Sequence, residues 1–185
     1  MIAAVAALSA CASARLVNGP YKAGEGYTVQ LGRPWSDVTA IAQGRTPNVH
    51  FLTVDGPLLN RLYLAGALAP GQPLVKALRR ETPTPTFRAD MADTELVEFV
   101  ADSIAALNYQ RPETSALRPG AIGALPGIRF DITALSSEGL HMSGTGLVAR
   151  EGDELHVMLY LAPTEHYYGV LLSEVESIFA SAALN

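Results

Sequence analysis

Polar and aromatic side chains alternate with apolar ones along two predicted strands of this sequence. Arg129 and Asp131 lie within the apolar alternation of the segment 128–132. His156 and Tyr160 alternate in the same way with the leucines and valine of the segment 155–161. Because successive side chains of a strand point to opposite faces, the polar set of neighbouring strands shares one face of a sheet.

A sheet face that mixes charge, hydrogen-bonding groups and aromatic area is typical of a binding surface. We predict that six residues form one such surface: Arg129, Asp131, His156, Tyr160, Arg61 and Tyr63. The alternative is that this face is solvated or covered by a loop.

Familiar catalytic and metal-binding patterns are missing from the sequence. Met142–Gly146 departs from the Gly-x-Ser-x-Gly elbow of serine hydrolases, and no helix follows it as a dinucleotide-binding loop requires. The four histidines, His50, His141, His156 and His166, do not have the spacing of a zinc motif. We therefore predict no catalytic residue, no metal and no cofactor.

Charge argues against a nucleic-acid partner. The 185 residues have a formal net charge of -5, so no basic field attracts phosphate backbones. One local exception is a group of cations that flanks a proline- and threonine-rich segment: Lys76, Arg79, Arg80 and Arg88. These cations are placed to contact anionic lipid head groups or a partner, or they only solvate the loop.

Hydrophobic periodicity predicts strands, a helix, more strands and a closing helix. Strands are expected at 27–31, 49–54, 58–68, 128–133, 141–149 and 155–161, and helices at 93–108 and 165–183. Trp35 is a predicted core anchor, and 69–90 and 112–119 are predicted to be irregular because of their prolines. Short connections such as Asp55-Gly56 favour antiparallel pairing. We therefore predict an α+β domain with a curved antiparallel sheet covered on one face by two helices.

The segment Leu8-Ser9-Ala10-Cys11 resembles the lipobox of bacterial lipoproteins. It follows the apolar segment 2–8, and Cys11 is the only cysteine. A signal peptidase needs such a short hydrophobic segment followed by small residues. The resemblance implies that 1–10 is a signal-peptide remnant and that Cys11 is lipidated. The following segment is small and polar and is interrupted by Gly19, Pro20, Gly24 and Gly26, so we expect 11–26 to be a flexible tether to a single α+β domain at 27–185. No Lys or Arg precedes Arg15, so we expect a natural start upstream of Met1 or a trimmed N-terminus.

The same resemblance implies a location in the cell envelope. Ala12 follows the cysteine where inner-membrane lipoproteins have an acidic retention signal, so we expect a domain that faces the periplasm from the outer membrane. The expected role is a non-enzymatic binding or envelope-assembly factor whose protein or small-ligand partner the sequence does not identify. The alternative is an envelope hydrolase with a site assembled across strands.

The order of elements resembles the PsbP family, named for the extrinsic subunit of photosystem II, whose fold is shared by small bacterial lipoproteins such as DcrB and LpqN. The likeness covers roughly Tyr27 to Ala183: an early strand followed by Trp35, a hairpin, a helix, a three-strand meander and a closing helix. The resemblance implies an α+β fold. It implies no site residue, because members of that group mostly bind partners or ligands and have no common catalytic residues.

Overall fold

The computed structural model describes residues 14–185, so the lipobox and Cys11 lie outside the described residues. Strands and helices alternate in blocks along the chain: β1 (Arg15–Ala23), β2 (Tyr27–Asp37), β3 (Val49–Thr53), β4 (Arg61–Leu68), α1 (Asp93–Ala106), β5 (Gln110–Ile122), β6 (Leu125–Leu135), β7 (His141–Glu151), β8 (Glu154–Pro163), α2 (Tyr167–Ala180) and β9 (Ala183–Leu184). All strands belong to one antiparallel sheet in the order β1-β2-β3-β4-β8-β7-β6-β5, and β9 pairs with β2. The predicted α+β class with an antiparallel sheet is confirmed.

Each helix covers a different face of the sheet. The odd-numbered side chains of β8, from Leu155 to Leu161, pack in one core with α1, and Met158, Tyr160 and Ala162 pack in a second core with α2. The prediction that both helices cover one face is therefore wrong. Both faces of β8 are apolar, so each face needs its own cover, and helical periodicity alone does not say which face a helix takes.

Two segments that were predicted to be irregular form the two edge strands. Most of the predicted tether at 11–26 is β1, which pairs with β2 from Arg15 to Ala23. The predicted connector at 112–119 lies within β5, whose pairing with β6 is interrupted by two register shifts. Proline is tolerated at sheet edges because an edge strand has one unpaired side. The sheet therefore already includes residues 15–23, which were assigned to the tether.

The long helices begin and pack close to the predicted positions. Leu96, Val100 and Ile104 are buried on α1, and Trp35 is buried against the α2 side. The predicted cap at Asp93 or Thr94 is wrong. Instead, Ala92 is the first boundary residue, and its backbone N–H donates to Glu95 Oε2 over 2.7 Å.

Replacing Leu171 with alanine tests whether α2 is an integral layer. Leu171 is buried in the core between α2 and the sheet, whereas its neighbour Val170 is 60% exposed. We expect Leu171→Ala to lower the free energy of unfolding by about 2–5 kcal/mol, because it leaves a cavity. Val170→Ala should change it by less than about 0.5 kcal/mol. Chemical denaturation of both variants measures the difference, and equal losses would contradict the two-sided packing.

Candidate functional site

Four of the six predicted site residues share one sheet face, but α2 covers that face. Tyr160 is fully buried; its hydroxyl donates to the Tyr167 carbonyl over 3.0 Å, and its ring stacks on Tyr168 at 5.7 Å. Burial raises the pKa of Tyr160, so the hydroxyl stays protonated. The hydroxyl and ring of Tyr160 therefore join the start of α2 to the sheet and are not offered to a partner.

Arg129 joins the other end of the same helix to the sheet. Its Nε donates to Thr145 Oγ1 over 3.0 Å, and its guanidinium donates to Glu176 Oε1 over 2.6 Å. The guanidinium carbon also lies 4.4 Å from the centre of the Phe179 ring. Asp131, which lies two residues further along β6, forms an ion pair with Arg118 at 3.1 Å. Both side chains of this ion pair are partly exposed. Arg129 and Tyr160 thus hold α2, and a phenotype of their alanine variants would report lost packing.

His156 is a structural residue of the sheet. Its side chain is 1% exposed, and its Nδ1 accepts the Ala67 N–H over 3.1 Å. Its Nε2 lies 3.6 Å from Glu151 Oε2. Gly26 packs so closely that a Cβ there would lie 2.5 Å from the imidazole Nδ1. Burial lowers the pKa of His156, which favours the neutral ring.

Arg61 and Tyr63 lie on the opposite face of the sheet. The prediction that they share one binding surface with Arg129 is therefore wrong. Tyr63 belongs to the core on the α1 side, and its ring stacks on Phe51 at 4.8 Å. Side chains of β4 alternate from face to face, and Leu62 and Leu64 take the α2 side. The odd-numbered residues of β4 therefore point away from α2.

Arg61 forms part of a groove between the β3–β4 turn, the end of α1 and the β6–β7 turn. The cavity has a volume of about 510 Å³, within the range of roughly 300–1,000 Å³ that is usual for ligand pockets. Its lining is mostly apolar: Leu58, Leu59, Arg61, Leu107, Asn108, Tyr109, Ser136, Ser137, Glu138, Leu140 and Met142. Leu58 is 79% exposed and Leu140 is 48% exposed at the rim.

The groove holds one cation above aromatic rings. The Arg61 guanidinium carbon lies 5.3 Å from the Tyr109 ring centre and 6.0 Å from that of Phe51. Burial raises the pKa of Tyr109 to about 12, so the phenol remains a neutral hydrogen-bond donor. Within residues 14–185 Arg61 has no carboxylate in ion-pair contact, although Glu138 lies at the rim. Apolar walls with one cation suit an amphipathic ligand that carries an acidic group.

Sequence reasoning found Arg61 but missed the rest of this groove. Leu58, Leu107 and Leu140 come from three different connections, which only the tertiary fold brings together. In the described part of the chain, no three His, Cys, Asp or Glu side chains are grouped so that they could hold a metal ion. The ionisable groups that line the groove are the Arg61 guanidinium, the Tyr109 phenol and the Glu138 carboxylate.

A second polar cluster, also missed, joins β1, β2 and β3. The Tyr21 hydroxyl donates to Asp37 Oδ2 over 3.0 Å and lies 2.8 Å from His50 Nδ1, while His50 Nε2 accepts the Gly24 N–H over 3.0 Å. Because Nε2 accepts a hydrogen bond, the proton of the neutral ring is on Nδ1 and is donated to Tyr21. Burial lowers the pKa of His50, although Asp37 opposes this effect. Burial would raise the pKa of Asp37, but hydrogen bonds from Thr39 and Tyr21 lower it.

Acidification should destabilise the fold through His50. A histidine whose pKa is lowered on folding binds fewer protons than in the unfolded chain, so stability is full above the unfolded value of about 6.5 and falls below it. We expect the free energy of unfolding to decrease between about pH 7 and pH 5, above the range in which Asp37 titrates. His50→Gln keeps a hydrogen-bond acceptor for the Gly24 N–H and should make the free energy of unfolding depend less steeply on pH. The pH dependence that remains includes the contribution of His156, whose pKa is also lowered.

The matched control is His141→Gln, at an exposed position at the start of β7. Denaturation curves at several pH values should show the same slope for this variant as for the unsubstituted protein. A His50→Gln slope equal to that of the control would contradict the role assigned to the cluster.

Comparison with known proteins identifies the fold and nothing finer. No known family model and no curated protein sequence matches this chain. Among solved structures, the chain is similar to the cyanobacterial PsbP protein (CyanoP) from Synechocystis sp. PCC 6803, with 13% identity, 98% of each chain covered and a TM-score of 0.54. This likeness confirms the PsbP-like fold that was expected from the order of the elements. At this identity it transfers no site and no activity.

Proposed function

We propose that this protein is a lipid-anchored, periplasm-facing factor that binds a partner or ligand in the envelope without catalysing a reaction. The observation that carries the binding role is the groove beside Arg61, which combines mostly apolar walls with one cation that lacks an ion-pair partner in the described residues. Side chains around such a groove exclude water, and a cation on its wall gives an acidic ligand both affinity and orientation.

The lipobox supports the anchored location. Cys11 is the only cysteine, and the described domain begins with β1 only four residues later. A lipid attached to Cys11 would therefore lie close in sequence to the first strand of the domain. Two acyl chains hold a protein stably on a membrane, whereas one binds marginally. No helix of the described residues is long and apolar enough to cross a membrane. Ala12 after the cysteine favours the outer membrane as the site of anchoring.

Labelling with a fatty acid tests the anchor. Cells that express the protein and are fed a radioactive or clickable fatty acid should yield a labelled protein, because acyl chains would be attached at Cys11. The variant Cys11→Ser should be unlabelled. Ser9→Thr, which keeps a small residue before the cysteine, is the control and should retain the label. Equal labelling of Cys11→Ser and the unsubstituted chain would rule out lipidation at this site.

Photo-crosslinking in the envelope tests the groove. A photoreactive residue in place of Leu140, which is 48% exposed on the groove, should form one adduct of defined mass. The same residue in place of Leu117, which is 47% exposed on β5, should not form it. Arg61→Gln should weaken the Leu140 adduct because the cation of the groove is lost. Identical adducts from both positions, with no effect of Arg61→Gln, would contradict a binding role for the groove.

A further inference from the structure

We infer that the sheet edge that begins at Arg15 docks on an anionic phospholipid surface. We call this the basic edge surface and define it by Arg15, Ile41, Arg45, Lys76, Leu78, Arg79 and Arg80. The inference rests on the lipid anchor proposed above and adds which side of the domain faces the bilayer and which head groups it prefers.

Strand pairing and hydrogen bonds connect the three segments of the basic edge surface. Arg15 pairs with Asp37 across β1 and β2, and the Thr39 N–H donates to Asp37 Oδ1 over 3.0 Å. The loop that follows Thr39 then meets the second segment, since the Lys76 N–H donates to the Gly44 carbonyl over 2.8 Å. The Leu78 N–H donates to the Ala106 carbonyl over 3.1 Å at the end of α1. These bonds fix two long irregular loops side by side next to the first described strand.

The surface is positive although the protein is acidic. Within residues 14–185, Arg45, Lys76, Arg79 and Arg80 are exposed and form no ion pair, and Arg15 is 73% exposed beside Asp37. Glu81, which follows Arg80 in the chain, is an exposed acidic residue. The whole chain has a formal net charge of -5, so the surface stands out against the net charge of the molecule. Cations close to an anionic membrane each strengthen binding about fivefold.

Two exposed apolar side chains lie among these cations. Ile41 is 52% exposed and Leu78 is 39% exposed. Apolar side chains surrounded by cations are the composition that inserts at the boundary between head groups and acyl chains. This argues for a bilayer surface as the occupant rather than for a free phosphate.

The distance from the anchor restricts the orientation of the domain. Four residue steps separate Cys11 from Arg15, and a fully extended chain spans at most about 3.6 Å per residue. A lipidated Cys11 thus holds Arg15 within about 14 Å of the bilayer surface. A bilayer that holds the lipid would therefore lie next to the Arg15 end of β1.

Site-specific fluorescence on the full lipidated chain tests this orientation. If Cys11 is acylated, an introduced cysteine is the only free thiol, and a polarity-sensitive dye labels it alone. We would place the dye at Ile41→Cys, at Leu78→Cys and, as the matched control on β5, at Leu117→Cys. Each protein is reconstituted in vesicles of phosphatidylethanolamine with phosphatidylglycerol, which include lipids with a nitroxide quencher.

We expect quenching and a blue shift at positions 41 and 78, and neither at 117. Replacing phosphatidylglycerol by phosphatidylcholine should reduce both signals. Arg79→Gln with Arg80→Gln should lower the equilibrium constant for docking about 25-fold, or fivefold for each cation, whereas Arg111→Gln with Arg118→Gln on β5 should leave it unchanged.

The outcomes separate this inference from the proposed anchor. Equal quenching at 41 and 117, or no quenching at 41 in protein that is acylated and bound to vesicles, would overturn the orientation and leave the anchor intact. A signal that does not depend on phosphatidylglycerol would overturn the preference for anionic head groups. Dye incorporation into the unsubstituted chain would show a free Cys11, and the anchor and the inference would then fail together.

Discussion

The burial of β8 on both of its faces is the constraint on which the rest of the structure depends. From Leu155 to Ala162 every side chain of this strand is buried, and the two alternating sets belong to two separate cores. A strand of this kind is stable only in the middle of a sheet that has a layer on each side. The hairpins β3–β4 and β6–β7 therefore flank it, and one helix is committed to each face.

The two layers are attached to the sheet by different physical means. The core on the α1 side is almost entirely apolar, with Phe87, Phe99 and Phe130 among its fully buried rings. The core on the α2 side contains polar anchors as well, because Arg129 reaches Glu176 and Tyr160 reaches the Tyr167 carbonyl. Polar contacts of this kind have strict geometry and fix where α2 lies, while apolar burial supplies most of the stability. This difference explains why the α2 face looked like a binding surface in the sequence.

Periodicity along the chain predicted six of the strands and the shared face of Arg129, Asp131, His156 and Tyr160, and the short connections predicted antiparallel pairing. This pattern does not show that α2 covers the face, because the alternation of side chains along a strand is the same whether the polar face contacts water or a helix. Proline misled the prediction at Pro20, Pro112 and Pro119, all of which lie in edge strands. The groove could not be predicted from the sequence, because Leu58, Leu107 and Leu140 are far apart in the chain and only the tertiary fold brings them together.

The pairing of residues 15–23 in β1 determines how the proposed lipid anchor would act on the domain. A tether as far as residue 26 would let a lipidated domain rotate freely, at an end-to-end distance of about 20 Å for a flexible chain of that length. Arg15 is instead paired with Asp37, and it follows Cys11 by only four residues in the sequence. If Cys11 is lipidated, so short a connection would leave the domain few orientations, and the local concentration of the Arg15 end of β1 at the membrane would be high. A few cations and two exposed apolar side chains would then suffice to hold one side of the domain against the bilayer, whereas the same groups on a freely diffusing protein would bind it only transiently.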